Sequence, residues 1–167
     1  MGDAAAGDFS ESAHSRWPQL VRLAYGLTCD RGLAEDLAQT ALANAYASWP
    51  RVRRADDPDA YVRRIMLNAH RGGFRKRRVA EQPLSRPPES VVADPASVHG
   101  DHAVIIAALR TLPRRQREVL VLRFWADLTE AQVAAALGCS VGNVKSQTSR
   151  ALARLRASEE LANWGSR

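Results

Sequence analysis

The chain has 167 residues, 46% of them hydrophobic, and a formal net charge of +6. That length suits one domain or two small ones, and the positive excess favours a polyanionic partner, either nucleic acid or an anionic membrane surface. No apolar run is long enough to span a bilayer, the opening MGDAAAGDFSESAHSR lacks the segments of a signal peptide, and Ala6 stands where a myristoylation signal has Ser or Thr, so a cytoplasmic protein without membrane attachment is expected. Cys29, Cys139, His14, His70, His99 and His102 make no metal-ligand spacing, and no nucleotide-binding or hydrolase motif is present. No catalytic residue, metal or cofactor is expected; the chain reads as a non-enzyme with buried or half-buried thiols.

Residues before about Ser15 read as frayed. Over 17–27, Leu20, Leu23, Ala24 and Leu27 recur at helical spacing until Thr28, Cys29 and Asp30 interrupt, with Asp30 a candidate cap for the next helix. That second helix, about 33–49, carries Leu37, Ala41, Leu42, Ala45, Tyr46 and Trp49 on an apolar side. Glu35, Asp36, Gln39 and Ala43 line another side, a stripe that suits docking on a protein surface; from periodicity alone a solvated face is the plainer reading. Pro50 closes the helix, and 51–56, with Arg51, Arg53 and Arg54, reads as an exposed loop. Asp57 and Pro58 then supply an N-cap and a first-turn proline.

The third helix, 58–78, has Tyr61, Val62, Ile65, Met66 and Ala69 as its core stripe. Arg63, Arg64, Asn68, Arg71, Arg75, Lys76, Arg77 and Arg78 surround it. Cations near a helix C-terminus complement its dipole, but a cluster this dense repels itself unless a polyanion neutralises it. Gly72 and Gly73 together cost about 2 kcal/mol of helix propensity relative to alanine, which predicts a kink or early fraying there.

Residues 79–101 hold four prolines and no helical stripe and read as a linker. The pattern resumes at His102 with Val104, Ile105, Ala108 and Leu109, and breaks at Leu112 and Pro113. A helix with Val119, Leu120, Leu122 and Phe124 follows, opened by Arg114, Arg115 and Arg117, which oppose the dipole there and suit phosphate contact.

The stretch 128–156, LTEAQVAAALGCSVGNVKSQTSRALARLR, predicts two helices and a tight turn. Thr129 and Gln132 are spaced as a capping box, Gly138 can take the left-handed conformation that ends a helix, and Ser140 can cap the next. Val133, Ala134 and Leu137 face Val144, Thr148, Ala151, Leu152 and Leu155. The outward face carries Gly142, Asn143, Lys145, Ser146, Ser149 and Arg150, and no acidic residue occurs from Ser140 to Ala157. A helix-turn-helix with this face suits phosphates and base edges in a major groove. A stand-alone helix-turn-helix regulator would account for 128–156 equally well, but less well for the linker and the second basic module.

Two basic helical modules joined by a linker, with AEDLAQTALANAYASW and DPDAYVRRIMLNAHRGGFRKRR in the first and LPRRQREVLVLRFWADLTEAQVAAALGCSVGNVKSQTSRALARLR in the second, resemble the extracytoplasmic-function sigma factors of the sigma-70 family; SVGNVKSQTSRAL is further similar to the actinobacterial SigE-like subgroup. The resemblance implies an all-α protein of two small helical domains. Residues 1–15 would be a disordered N-terminus, 16–78 region 2, 79–101 the linker, 102–157 region 4 and 158–167 a tail. It implies a protein that binds core RNA polymerase and directs promoter-specific initiation, a monomer when free, with promoter DNA as partner and an anti-sigma factor as a further one. Asp36 and Gln39, with Glu35, match the surface that docks the clamp coiled coil of the polymerase largest subunit. Asn68, Arg71 and Arg75, with Arg64, match the part that captures unstacked minus-10 bases. Lys145, Ser146, Ser149 and Arg150, beside Gly142 and Asn143, match the face that reads the minus-35 element. The chain departs from the family at Asn143, usually Thr, at Gln147, often Arg, and at Gly72 and Gly73, where the helix generally runs on uninterrupted.

Overall fold

The structure, a computed structural model, describes the backbone of residues 2–80 and 100–158 and the side chains of residues 4–73 and 102–158. The expected linker falls almost wholly outside the described residues, as does the tail beyond Ser158. Every regular element among the described residues is helical: α1 Gly2–Thr28, α2 Arg31–Ala47, α3 Trp49–Val52, α4 Pro58–Ala80, α5 Gly100–Arg110, α6 Arg114–Leu120 continued by a π-helical turn Val121–Trp125, α7 Glu130–Leu137 and α8 Val141–Arg156. The chain divides into two compact units, Met1–Tyr25 with Arg31–Gln82 and Gly26–Asp30 with Pro83–Arg167.

In the first unit α2 packs along α4, and the short α3 touches both. Ala34, Ala38, Ala41 and Ala45 are almost fully buried on α2; side chains this small let a neighbouring helix approach closely. They meet a stripe on α4 of Val62, Met66 and Leu67, all buried, with Tyr61, Ile65 and Ala69 half-buried at its margins. Leu67 and His70 are buried although the sequence pattern did not single them out for the core. Asp57 caps α4 as expected, its Oδ1 accepting the Ala60 amide at 2.9 Å, with Pro58 in the first turn. Leu20, Leu23 and Ala24 are buried on the part of α1 that belongs to this unit; Leu27 and Cys29, both buried, are counted with the second, and Cys29, in a left-handed conformation (φ 55°), turns the chain into α2.

Four expectations for this unit are corrected. Of the segment 1–15 expected to be disordered, residues 2–15 instead form the start of α1, which is helical from Gly2. The reason is tertiary: the Phe9 ring packs 4.9 Å from Tyr46 and 5.3 Å, edge-on, from Trp49, and Asp8 pairs with Arg53 at 3.5 Å. Arg16 secures the next turns through a 2.6 Å ion pair to Asp59. Tyr46, assigned to the apolar side, is 55% exposed, touching Phe9 rather than filling the core. The segment 51–56 is not wholly loop, since Trp49–Val52 makes one helical turn with Pro50 near its start and Val52 fully buried. Finally, α4 passes through Gly72 and Gly73 without ending and reaches Ala80. The propensity cost is met within a 23-residue helix whose first half is anchored by the buried stripe, so it does not terminate the element.

In the second unit α6 and α7 both pack on α8. Ile106, Ala108, Leu109 and Leu112 are buried with Val119, Leu120, Val121, Leu122 and Leu128, and Val133, Ala134, Leu137, Val144 and Ala151 complete the core. Ile105, expected inside, is exposed, and Ile106 takes its place. Phe124 is also reassigned. The helix widens after Leu120 so that the Ala126 amide donates to the Val121 carbonyl, five residues back, at 3.1 Å. A π turn shifts the side-chain phase relative to an α-helix, and Phe124 emerges 59% exposed while Leu122 stays buried. Arg123 donates to the Leu128 carbonyl and stands 5.6 Å from the Phe124 ring centre.

Candidate nucleic-acid interface

The α7–turn–α8 segment follows its sequence signals closely. The Thr129 amide donates to Gln132 Oε1 at 2.9 Å and the Gln132 amide to Thr129 Oγ1 at 3.2 Å, a complete capping box that satisfies two donors left open at a helix start. Gly138 ends α7 at φ 65°, ψ 42°, a region costly for a residue with a Cβ, and its amide donates to Ala134 O. Ser140 then caps α8 at once, its Oγ accepting the Asn143 amide at 3.1 Å. Two helix ends meet with three intervening residues and no idle loop. Val133 and Val144, both fully buried, fix α7 against α8, and the outward face of α8 is thereby set.

On that face Gly142, Asn143, Lys145, Ser149 and Arg150 are exposed and Ser146 is half-buried. Gln147 is half-buried, and Thr148 turns inward, its hydroxyl donating to the Val144 carbonyl at 2.8 Å. Lys145 does not stand alone: its Nζ lies 3.8 Å from Glu130 Oε2 at the start of α7, a pair that the helical pattern of either segment gives no way to see. Two of the three arginines in α6 have a different fate from the phosphate contact expected of them. Arg114 and Arg115 reach the carboxylate of Glu118, at 3.7 and 3.5 Å, and Glu118 is 1% exposed. A carboxylate so deeply buried needs cationic partners to be tolerated, so these two serve the interior.

In the first unit, Arg64 and Asn68 are exposed on α4 and Arg71 is half-buried one turn on, the three sharing a face by their spacing. Arg75 belongs to the same run, but its side chain lies outside the described residues. Arg51, Arg53 and Arg54 are exposed ahead of α4. On α2, Asp36 and Gln39 project to solvent, and Glu35, also exposed, reaches Arg31 at 3.8 Å on its own helix. Tyr46 continues the line of Asp36, Gln39 and Ala43 by one further turn, an aromatic surface the sequence had placed inside. Among the described residues no three His, Cys, Asp or Glu side chains gather as metal ligands would, and no helix is long and apolar enough to cross a membrane. Cys29 is buried and Cys139 half-buried, both as free thiols.

Comparison with known proteins agrees with both halves of this arrangement. The family model of sigma-70 region 2 matches residues 14–79 and that of sigma-70 region 4 matches residues 102–155. The chain is 42% identical over 154 residues to the RNA polymerase sigma-E factor of Streptomyces coelicolor, covering 92% of this chain and 86% of that protein. It is 31% identical over 142 residues to the ECF RNA polymerase sigma factor EcfG of Rhodopseudomonas palustris, covering 84% and 78%. Among solved structures it resembles the sigma factor RpoE of Bartonella quintana, in complex with the anti-sigma factor NepR, at a TM-score of 0.79 and 30% identity over 93% of this chain and 97% of that one. It also resembles CnrH in complex with the cytosolic domain of CnrY, at a TM-score of 0.62 and 26% identity over 93% and 92%. A stand-alone helix-turn-helix regulator has no need of the first unit, whereas the matches to both regions cover most of the described chain: it belongs to the extracytoplasmic-function group of the sigma-70 family and is an RNA polymerase sigma factor that directs transcription initiation.

Proposed function

We propose that the two units divide promoter recognition between duplex and single strand. The observation that carries this reading is the doubly capped turn and the face it holds outward: Gly142, Asn143, Lys145, Ser146, Ser149 and Arg150 on α8, with no acidic residue from Ser140 to Ala157. A helix fits the major groove, and one good bidentate contact discriminates between bases by about 1–3 kcal/mol, so α8 reads the minus-35 element. The α4 face of Arg64, Asn68, Arg71 and Arg75 holds minus-10 bases extruded from the non-template strand. Unstacking a base costs a few kcal/mol, offset by cationic contacts and a pocket that core polymerase completes. Asp36 and Gln39, flanked by Glu35, dock the basic surface of the largest-subunit clamp coiled coil. Residues 16–78 thus form the docking and minus-10 module, 79–101 the linker and 102–157 the minus-35 module. Tethering on polymerase raises the effective concentration of the second contact, so neither module needs to bind tightly by itself.

The protein acts in the cytoplasm with core polymerase, monomeric until it binds. Because the RpoE structure that it resembles at a TM-score of 0.79 holds an anti-sigma factor, an anti-sigma factor that covers Asp36, Gln39 and the α8 face is the regulatory partner that fits.

Run-off transcription from a promoter pool, with bacterial core polymerase alone or with the protein added, tests the reading. Initiation at defined sites is expected, and aligned start sites yield both elements. Arg150→Ala should reduce initiation most at promoters with a strong minus-35 element, and Asp36→Ala with Gln39→Ala should weaken capture of polymerase while sparing duplex binding by the free chain. An equal loss at every promoter for Arg150→Ala, or unchanged polymerase affinity for the α2 variant, refutes the corresponding assignment.

A further inference from the structure

We propose that Glu130 is a specificity-determining residue of the α8 interface, acting as an intramolecular competitor that withholds Lys145 from phosphates while leaving it able to meet a base edge. The inference rests on the reading of α8 as the duplex-contacting helix. Glu130 is the first residue of α7 and the one acidic residue of that helix, and no other follows it before Glu159. Within the two helices and the turn between them it is the one acidic side chain; the exposed Asp127 lies just ahead of the Thr129 cap.

In a helix-turn-helix the first helix crosses the sugar-phosphate backbone while the second enters the groove. A carboxylate at the start of α7 is therefore a liability unless it is neutralised. Its position also suits the helix dipole, which is the purely structural account of the residue. What that account leaves unexplained is the partner, for Oε2 lies 3.8 Å from Lys145 Nζ, across the turn on the outward face of α8. The two side chains are 35% and 64% exposed, so the pair is solvent-screened and readily exchanged.

The consequence differs for the two kinds of DNA contact. If Lys145 turns to a phosphate oxygen, its single positive charge is shared between two anions and the Glu130 carboxylate is held close to the anionic backbone. If Lys145 meets a neutral acceptor on a base edge, such as guanine O6 or N7, no new anion is brought near. An ammonium has three donors, and one can stay with Glu130 while another serves the base. The pair thus taxes indiscriminate contact more than base readout, and Glu130 raises specificity by lowering the background rather than by touching a base.

The test is fluorescence anisotropy of the full chain over a KCl series. One probe is a random-sequence duplex and the other a duplex carrying the minus-35 element found by run-off mapping; the proteins are wild type, Glu130→Gln, Lys145→Ala and the double variant. Glu130→Gln should bind the random duplex roughly two- to five-fold tighter, the size of an exposed pair. Its salt dependence should steepen by about one phosphate contact, near 0.9 in slope, and the ratio of specific to random affinity should fall. In the Lys145→Ala background the same substitution should give a smaller gain and no added phosphate contact in the slope, since only the carboxylate's own repulsion remains to be relieved; a dipole effect on α7 would be equal in both backgrounds. Unchanged random-duplex binding by Glu130→Gln, or an equal gain with and without Lys145, overturns the proposal. If Lys145→Ala itself alters binding to neither duplex, α8 is not the duplex-contacting helix, and the functional reading falls first.

Discussion

Replacing Gly72 and Gly73 together by alanine should stabilise the second half of α4. Both glycines are helical, and an added Cβ at either position meets nothing within 4 Å. The substitution therefore brings only the difference in backbone freedom, about 0.8–1.0 kcal/mol for each residue, or about 2 kcal/mol for the pair. The amides of Phe74 and Arg75 report it directly. Closing their i to i−4 bonds requires the residues between, including the glycines, to be helical, so exchange through local opening must unwind them. At about 1.4 kcal/mol per factor of ten, native-state hydrogen exchange at these amides should slow roughly 15- to 30-fold, and exchange at Met66, held by the core, should change far less. Unchanged exchange at Phe74 and Arg75 would mean that α4 ends before the glycines in solution. The propensity argument would then outweigh the continuous helix.

Two further outcomes follow from packing and capping. Phe9→Ala removes two aromatic contacts, each worth about 0.5–1.5 kcal/mol, and should loosen α1 ahead of Arg16; rapid exchange or proteolysis confined to 4–13 is expected, and full protection there would show that Phe9 does not hold the segment. Thr129→Ala removes the half of the capping box that Oγ1 supplies, leaving the Gln132 amide without that acceptor, and should cost about 1 kcal/mol of α7–α8 stability, with weaker duplex binding as the helix-turn-helix loosens. A variant as stable as wild type to denaturant, by a probe on the second unit, refutes the importance of the cap.

Under the proposed reading, a protein that covered both Asp36 and Gln39 on α2 and the cations of α8 would present basic and acidic surfaces to different modules, and its competition with polymerase and DNA is open to direct measurement with the α2 and α8 variants.

Much of the fold and of the candidate site was legible because its determinants act over a few residues. Thr129 with Gln132, Gly138, Ser140 and Asp57 each cap or end a helix through bonds to their immediate neighbours, and the structure makes all of them. Helical periodicity likewise placed Val133, Leu137, Val144 and Ala151 inside, which left Asn143, Lys145, Ser149 and Arg150 outside. Most of the departures depend on groups distant in sequence, on burial or on a change of helical phase. Phe9 makes the N-terminal segment helical by reaching Tyr46 and Trp49 from far along the chain, and no local pattern could announce that. A single π turn moves Phe124 out of the stripe that an α-helix would have given it. Burial of Glu118 recruits Arg114 and Arg115 from the surface role their position suggested, and Glu130 meets Lys145 only because the turn folds α7 back on α8. Sequence alone determined the helix ends that are closed by caps, at Asp57, Thr129, Gly138 and Ser140, because the hydrogen bonds there are local. Tertiary structure alone decided which charges are available to DNA, because pairing and burial depend on what the fold brings within a few ångströms.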